Sequence, residues 1–185
     1  MIINPIDHPE VGTLQYATTL PLQDGEIVLT FDDGPNPSYT PQVLDTLATE
    51  GARATFFLVG AMAQRYPALV RRICHEGHTV ASHTQNHPLP FTSLTEASAR
   101  QEIETGMLSI AAALAGENCV APFFRFPGLG RSPRMEAYLR ARSFSIWSAD
   151  FEADDWKNIA VMEVIKRAQR QIARKRKGVL LIRPH

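Results

Sequence analysis

The feature that most constrains this chain is an alternation of short apolar runs with helical patterns, repeated about six times from residue 27 to the C-terminus. Ile27-Val28-Leu29-Thr30-Phe31, residues 54–59, Thr79-Val80-Ala81, residues 123–126, Phe144-Ser145-Ile146-Trp147 and Val179-Leu180-Leu181-Ile182 read as buried strands. Helical patterns lie between them. One starts at Thr40-Pro41 and stops at Gly51, and the next carries Tyr66, Leu69, Val70 and Ile73. A longer one covers about 93–115, a shorter one includes Met135, Tyr138 and Leu139, and the last has Val161, Met162, Ile165, Ala168 and Ile172 on one face. Strands separated by helices must run parallel with crossover connections, so the chain folds as an α/β barrel or a doubly wound sheet. In both, chemistry collects where strands end and loops begin.

With 185 residues the chain is long enough for one domain with a full core. Residues 1–25 read as an irregular, polar N-terminal extension with room for one short strand, and 26–185 as the domain. The extension lacks the basic start and apolar core of a signal peptide. Nineteen Lys and Arg balance nineteen Asp and Glu, which argues against a nucleic-acid partner bound by counterion release. The segment from Lys166 to Lys177 is locally basic and reads as a solvated helix face. No apolar run is long enough for a transmembrane segment. Two cysteines, Cys74 and Cys119, exclude a disulfide-rich scaffold and leave open whether they pair.

Polar residues follow the strand-like runs. Asp32-Asp33-Gly34 follows the first, His83 and His87 the third, and Asp150, Asp154, Asp155 and Trp156 the fifth, while Arg125 lies inside the Phe-rich fourth. Strand ends on one face of a parallel sheet are neighbours, so these groups are expected to converge. His83 and His87 have the i, i+4 spacing that sets two imidazoles on one side of a helical turn. Two imidazoles and one carboxylate suit a divalent ion such as zinc, although the spacing alone also fits surface or hydrogen-bonding histidines. The adjacent carboxylates of Asp32 and Asp33 can divide the work, one binding metal and the other accepting a proton from water. Alone, Asp-Asp-Gly-Pro also fits a plain turn.

Taken together, Thr30-Phe31-Asp32-Asp33-Gly34-Pro35, Ser82-His83-Thr84-Gln85-Asn86-His87, Phe124-Arg125-Phe126-Pro127 and Asp155-Trp156 resemble the successive motifs of the polysaccharide deacetylases, the NodB-like enzymes. The resemblance runs from about Ile27 to the C-terminus. It implies a distorted (β/α) barrel and a metal-dependent hydrolase that removes acetyl from N-acetylglucosamine units of a chitin-like or peptidoglycan substrate. By position it implies Asp32 as general base, Asp33, His83 and His87 as ligands of zinc, cobalt or a related ion, and Arg125 as the partner holding Asp32 ionised. It also implies Asp155 as the group tuning the catalytic acid, and Pro127, Gly128, Trp156 and Leu181 as the substrate lining. Substrates of this kind suggest periplasmic, secreted or cell-surface action.

Two departures bear on activity. The family's histidine acid stands in a Leu-x-His pattern in the last strand, and here that stretch reads Leu181-Ile182-Arg183-Pro184-His185. Arg183 falls on the acid position and stays protonated, so His185 takes the role only if the strand shifts by two residues. The resemblance also implies a further helix and strand past this point, so a truncated or altered C-terminus is expected. Second, Gly128 stands where the family has tyrosine, which keeps a backbone N–H and removes an aromatic wall. The rival readings are an impaired metal- and glycan-binding domain, and a hydrolase of another non-peptide C–N bond on the same fold.

Overall fold

The computed structural model describes residues 3–183. Eight strands form one parallel sheet: β1 (Glu10–Val11), β2 (Ile27–Asp32), β3 (Ala54–Leu58), β4 (Thr79–Ser82), β5 (Val120–Phe124), β6 (Ser145–Trp147), β7 (Phe151–Glu152) and β8 (Gly178–Ile182). Their order across the sheet is β1-β6-β5-β4-β3-β2-β8-β7. The helices are α1 (Thr40–Thr49), α2 (Gly60–Arg65), α3 (Pro67–His75), α4 (Glu96–Leu114), α5 (Pro133–Ala141) and α6 (Val161–Lys175). The architecture is a curled α/β half-barrel, in keeping with the distorted barrel that the resemblance implies, and no described helix is long and apolar enough to cross a membrane.

Side-chain alternation along parallel strands divides the core. Phe31, Leu44, Leu47, Phe56, Leu58, Val70 and Ile73 pack between sheet and helices. Val11, Phe57, Ala81, Phe123, Trp147 and Val179 fill the concave side, joined by Leu20 and Leu22 from the N-terminal segment. The described residues before 26 include β1 and core side chains of the same body. β1 pairs with β6 in register Val11↔Trp147, and Tyr16 is buried beside Glu136 of α5.

Asp150 closes the curl. Its carboxylate accepts hydrogen bonds from Thr13 N (2.9 Å), Thr13 Oγ1 (2.7 Å), Thr19 Oγ1 (2.7 Å) and Val179 N (2.8 Å). Burial pushes its pKa up, but these donors outweigh burial and hold the group below the usual carboxylate range. Cys74 of α3 and Cys119, just before β5, form a disulfide with Cα atoms 5.7 Å apart.

Candidate active site

The site lies at the C-terminal ends of β2, β4 and β5. Thr30 and Asp32 are two residues apart on β2 and share its concave face, and both are buried. Asp33 lies just past the strand with φ 71°, a left-handed conformation that Asp tolerates. This turn of the backbone is what brings both acids to one place. Asp32 points at Arg125, and Asp33 at the histidines.

Arg125 follows β5 and is fully buried. Its Nη1 donates to Asp32 Oδ1 (2.6 Å) and to Thr30 Oγ1 (2.9 Å), and its Nη2 donates to the Ser148 carbonyl (2.6 Å). Thr30 Oγ1 in turn donates to the Leu180 carbonyl at 2.9 Å. The guanidinium carbon lies 4.2 Å from the centre of the Phe57 ring. Burial lowers the Arg125 pKa, and the Asp32 carboxylate is the main opposing influence. The charge is thus compensated where water is excluded.

The backbone of the same residue orients a histidine. His83 Nδ1 lies 2.7 Å from the Arg125 carbonyl, an acceptor only, so Nδ1 carries the proton and Nε2 presents its lone pair. That Nε2 lies 3.4 Å from Asp33 Oδ1, and His87 Nε2 lies 3.1 Å from the same oxygen. Asp33 Oδ1 is buried and meets no donor in hydrogen-bonding geometry. A buried carboxylate oxygen facing two imidazole nitrogens, with the three ligand atoms within 4.8 Å of one another, fits a divalent cation. Burial acts to raise the Asp33 pKa. The contact with the His83 ring, then the charges of His83, His87 and Arg183, outweigh burial and lower it to about 2. Burial, with the neighbouring His83, lowers His87 and favours the neutral imidazole that a metal needs.

Several expectations need correction. The histidines do not lie on a helical turn. Residues 83–88 form a loop in which Thr84 (φ 71°) and His87 (φ 54°) are left-handed, and this loop brings the rings to 4.9 Å. Arg125 lies beyond the end of β5 rather than inside a strand. Of the acidic cluster after β6, Asp150 is spent on closing the barrel. Asp154 pairs with Lys157 (2.7 Å) and Arg167 near the surface.

Asp155 is half-buried and accepts a hydrogen bond from the Arg183 backbone N–H. Arg183 itself follows β8 directly and reaches Glu152 Oε2 at 3.3 Å. His185 lies outside the described residues. Pro127 is buried, and Gly128 takes φ 56°, a left-handed conformation strained for a larger side chain, with the exposed Leu89 Cδ2 as the one neighbour a Cβ would meet, at 2.9 Å. Trp156 is 51% exposed with the Lys157 ammonium 4.9 Å from its ring centre. Leu181 is buried in β8, in register with Thr30. Thr30 and the carbonyls of Arg125 and Ser148 went unread in the sequence. Of these only Thr30 had a signal, its two-residue spacing from Asp32.

Residues 20–146 match the family model described as polysaccharide deacetylase. A peptidoglycan-N-acetylglucosamine deacetylase of Bacillus cereus is 33% identical over 167 residues, covering 84% of this chain and 72% of that protein. A chitooligosaccharide deacetylase of Sinorhizobium fredii is 50% identical over 78 residues, covering 40% of this chain and 36% of that protein. Among solved structures, a peptidoglycan deacetylase of Bdellovibrio bacteriovorus superposes with a TM-score of 0.85 at 25% identity, covering 99% of this chain and 49% of that one. Matched segments of curated relatives thus span from 26% to 72% of their lengths.

Proposed function

The chain belongs to the polysaccharide deacetylase family, and we propose that it hydrolyses the acetamide of N-acetylglucosamine units in a peptidoglycan or chitin-like glycan. The observation that carries this reading is the pairing of two carboxylates with separate tasks. Asp33 Oδ1 faces two imidazole nitrogens, and Asp32 beside it is held by a buried guanidinium.

Asp33, His83 and His87 would hold a divalent ion, with zinc fitting the donor set and cobalt an alternative. A cation there supplies polarisation of the acetamide carbonyl and acidification of water. Asp32 accepts the proton of the attacking water, and Arg125 keeps its carboxylate oriented for that transfer. The Gly128 backbone N–H is assigned to the acetyl oxygen, Pro127 and Leu181 to the walls of the acetyl pocket, and Trp156 to the sugar face. His185 would supply the proton for the departing amine, with Asp155 tuning it, only with a two-residue shift of the chain after β8. Arg183 cannot donate that proton, because a guanidinium stays protonated.

One observation favours a second reading, a domain that binds metal and glycan with little turnover: Arg183 stands immediately after β8, where the acid is expected. Acetate release from N-acetyl chito-oligosaccharide and from peptidoglycan, with zinc or cobalt added and with chelator, separates the two. Turnover that Asp32→Asn lowers by about 10²–10⁴-fold supports the hydrolase. Zinc binding without acetate release supports the second reading, and full turnover by Asp32→Asn or His83→Ala refutes the roles assigned here.

A further inference from the structure

The left-handed residues of the 83–88 loop need an external support. Thr84 is β-branched, and a positive φ at such a residue is costly unless its surroundings hold it. Within the loop, His87 N donates to Thr84 Oγ1 at 3.1 Å. From α2, Gly60 N donates to the Thr84 carbonyl (2.9 Å) and Ala61 N to the Gln85 carbonyl (2.8 Å).

The remaining supports come from α4. Glu102, Gly106 and Ser109 share one face by their i, i+4, i+7 spacing. Glu102 Oε2 accepts from the backbone N–H groups of Gln85 (3.2 Å) and Asn86 (2.8 Å), and its Oε1 accepts from Asn86 Nδ2 (2.7 Å). Gly106 allows close approach, since a Cβ there would stand 2.5 Å from the Thr84 carbonyl carbon. Ser109 Oγ donates to Gln85 Oε1 at 2.8 Å. Three residues of one helix, outside all the motifs that suggested chemistry, meet the three residues between His83 and His87.

We propose that this stripe of α4 is a positioning element for the metal-ligand loop, with Glu102 the residue that fixes the placement of His87 through the Gln85 and Asn86 amides. The inference rests on the reading of Asp33, His83 and His87 as metal ligands. It adds that ligand geometry is set from α4 as well as from the loop. Glu102 reaches the loop through the Gln85 and Asn86 amides and the Asn86 side chain rather than through a ligand atom, so its effect on metal affinity would act through the loop backbone.

The test compares wild type, Glu102→Ala and Glu102→Gln. Zinc affinity is read by competition with a chromogenic chelator, the metal-free forms are melted, and amide exchange is followed at Gln85 and Asn86. Glu102→Ala should weaken zinc about tenfold, the lower end of what loss of a ligand-supporting contact costs. It should speed exchange at the two amides and shift the metal-free melting temperature little, because the contacts lie near the surface. Glu102→Gln keeps an acceptor oxygen for the amides and should stay within about threefold of wild type. The proposal is overturned if Glu102→Ala binds zinc as tightly as wild type. It is equally overturned if its weaker binding comes with a large melting loss that Glu102→Gln shares. A wild-type protein that binds no zinc at all would instead remove the metal reading, and this one with it.

Discussion

Replacing Arg125 by methionine separates the two tasks of that residue. The side-chain exposures of Arg125 and Asp32 are 0% and 1%, so methionine leaves a carboxylate in a dry interior without its cation. Breaking one member of a buried pair costs about 3–5 kcal/mol, which for a chain of this size lowers the melting temperature by roughly 6–20 °C. The Ser148 carbonyl also loses its Nη2 donor, whereas Thr30 keeps its bond to Leu180. Urea unfolding of the metal-free protein at neutral pH measures the loss. The control is Asp32→Asn/Arg125→Met, which removes the orphaned charge and should recover about 2 kcal/mol of it. The Arg125 carbonyl survives the substitution, so His83 keeps its tautomer and zinc affinity should change by less than about threefold. Acetate release should fall by about 10²-fold or more, because Asp32, the proposed base, loses its orienting partner. The reasoning fails if Arg125→Met unfolds within about 1 kcal/mol of wild type, or if the double variant is no more stable than the single one.

Two further outcomes follow from the structure. The disulfide joins residues 45 apart, which by chain entropy stabilises the fold by about 4 kcal/mol, so reduction or Cys74→Ala/Cys119→Ala should lower the melting temperature by roughly 8–16 °C; an unchanged melt would refute the link. For Asp33 the folded pKa of about 2 lies below the ordinary 3.8, so its contribution is present above about pH 4 and lost as pH falls towards 2. The unfolding free energy of metal-free Asp33→Asn should therefore converge on that of wild type across this window, and a constant gap would contradict the assignment.

What the sequence revealed depended on how many residues carried each signal. The buried runs of β2, β3 and β8 declared themselves by several consecutive apolar residues, and the crossover helices by their periodicity. β1 and β7 have two residues each, too few for any period, and exist because a neighbouring strand offers free carbonyls and amides. The spacing of His83 and His87 pointed to a shared site but to the wrong backbone. Nothing in a His-x-x-x-His string reports that Thr84 and His87 are left-handed, since the supports lie on α2 and α4. Asp150 is grouped with the converging polar residues because it follows a strand, and only the fold shows that its oxygens meet two threonines and the β8 backbone. Glu102 resembles any solvated helix glutamate. Its role is defined by a loop sixteen residues away in the chain.

The two halves of the site meet in one residue. The Arg125 side chain holds Asp32, and its carbonyl holds His83, which faces Asp33. A shift of the β5 end would therefore disturb the contacts of both Asp32, the proposed proton acceptor, and His83, a proposed metal ligand. The proposed hydrolysis needs both residues in place at once, because the water must be within reach of both the base and the carbonyl. Thr30 and Ser148 tie the guanidinium to β8 and to the end of β6, so three parts of the curled sheet converge on one charged group. A substitution in any of the three that keeps the Arg125 contacts should leave Asp32 and His83 in place, even where it loosens the sheet.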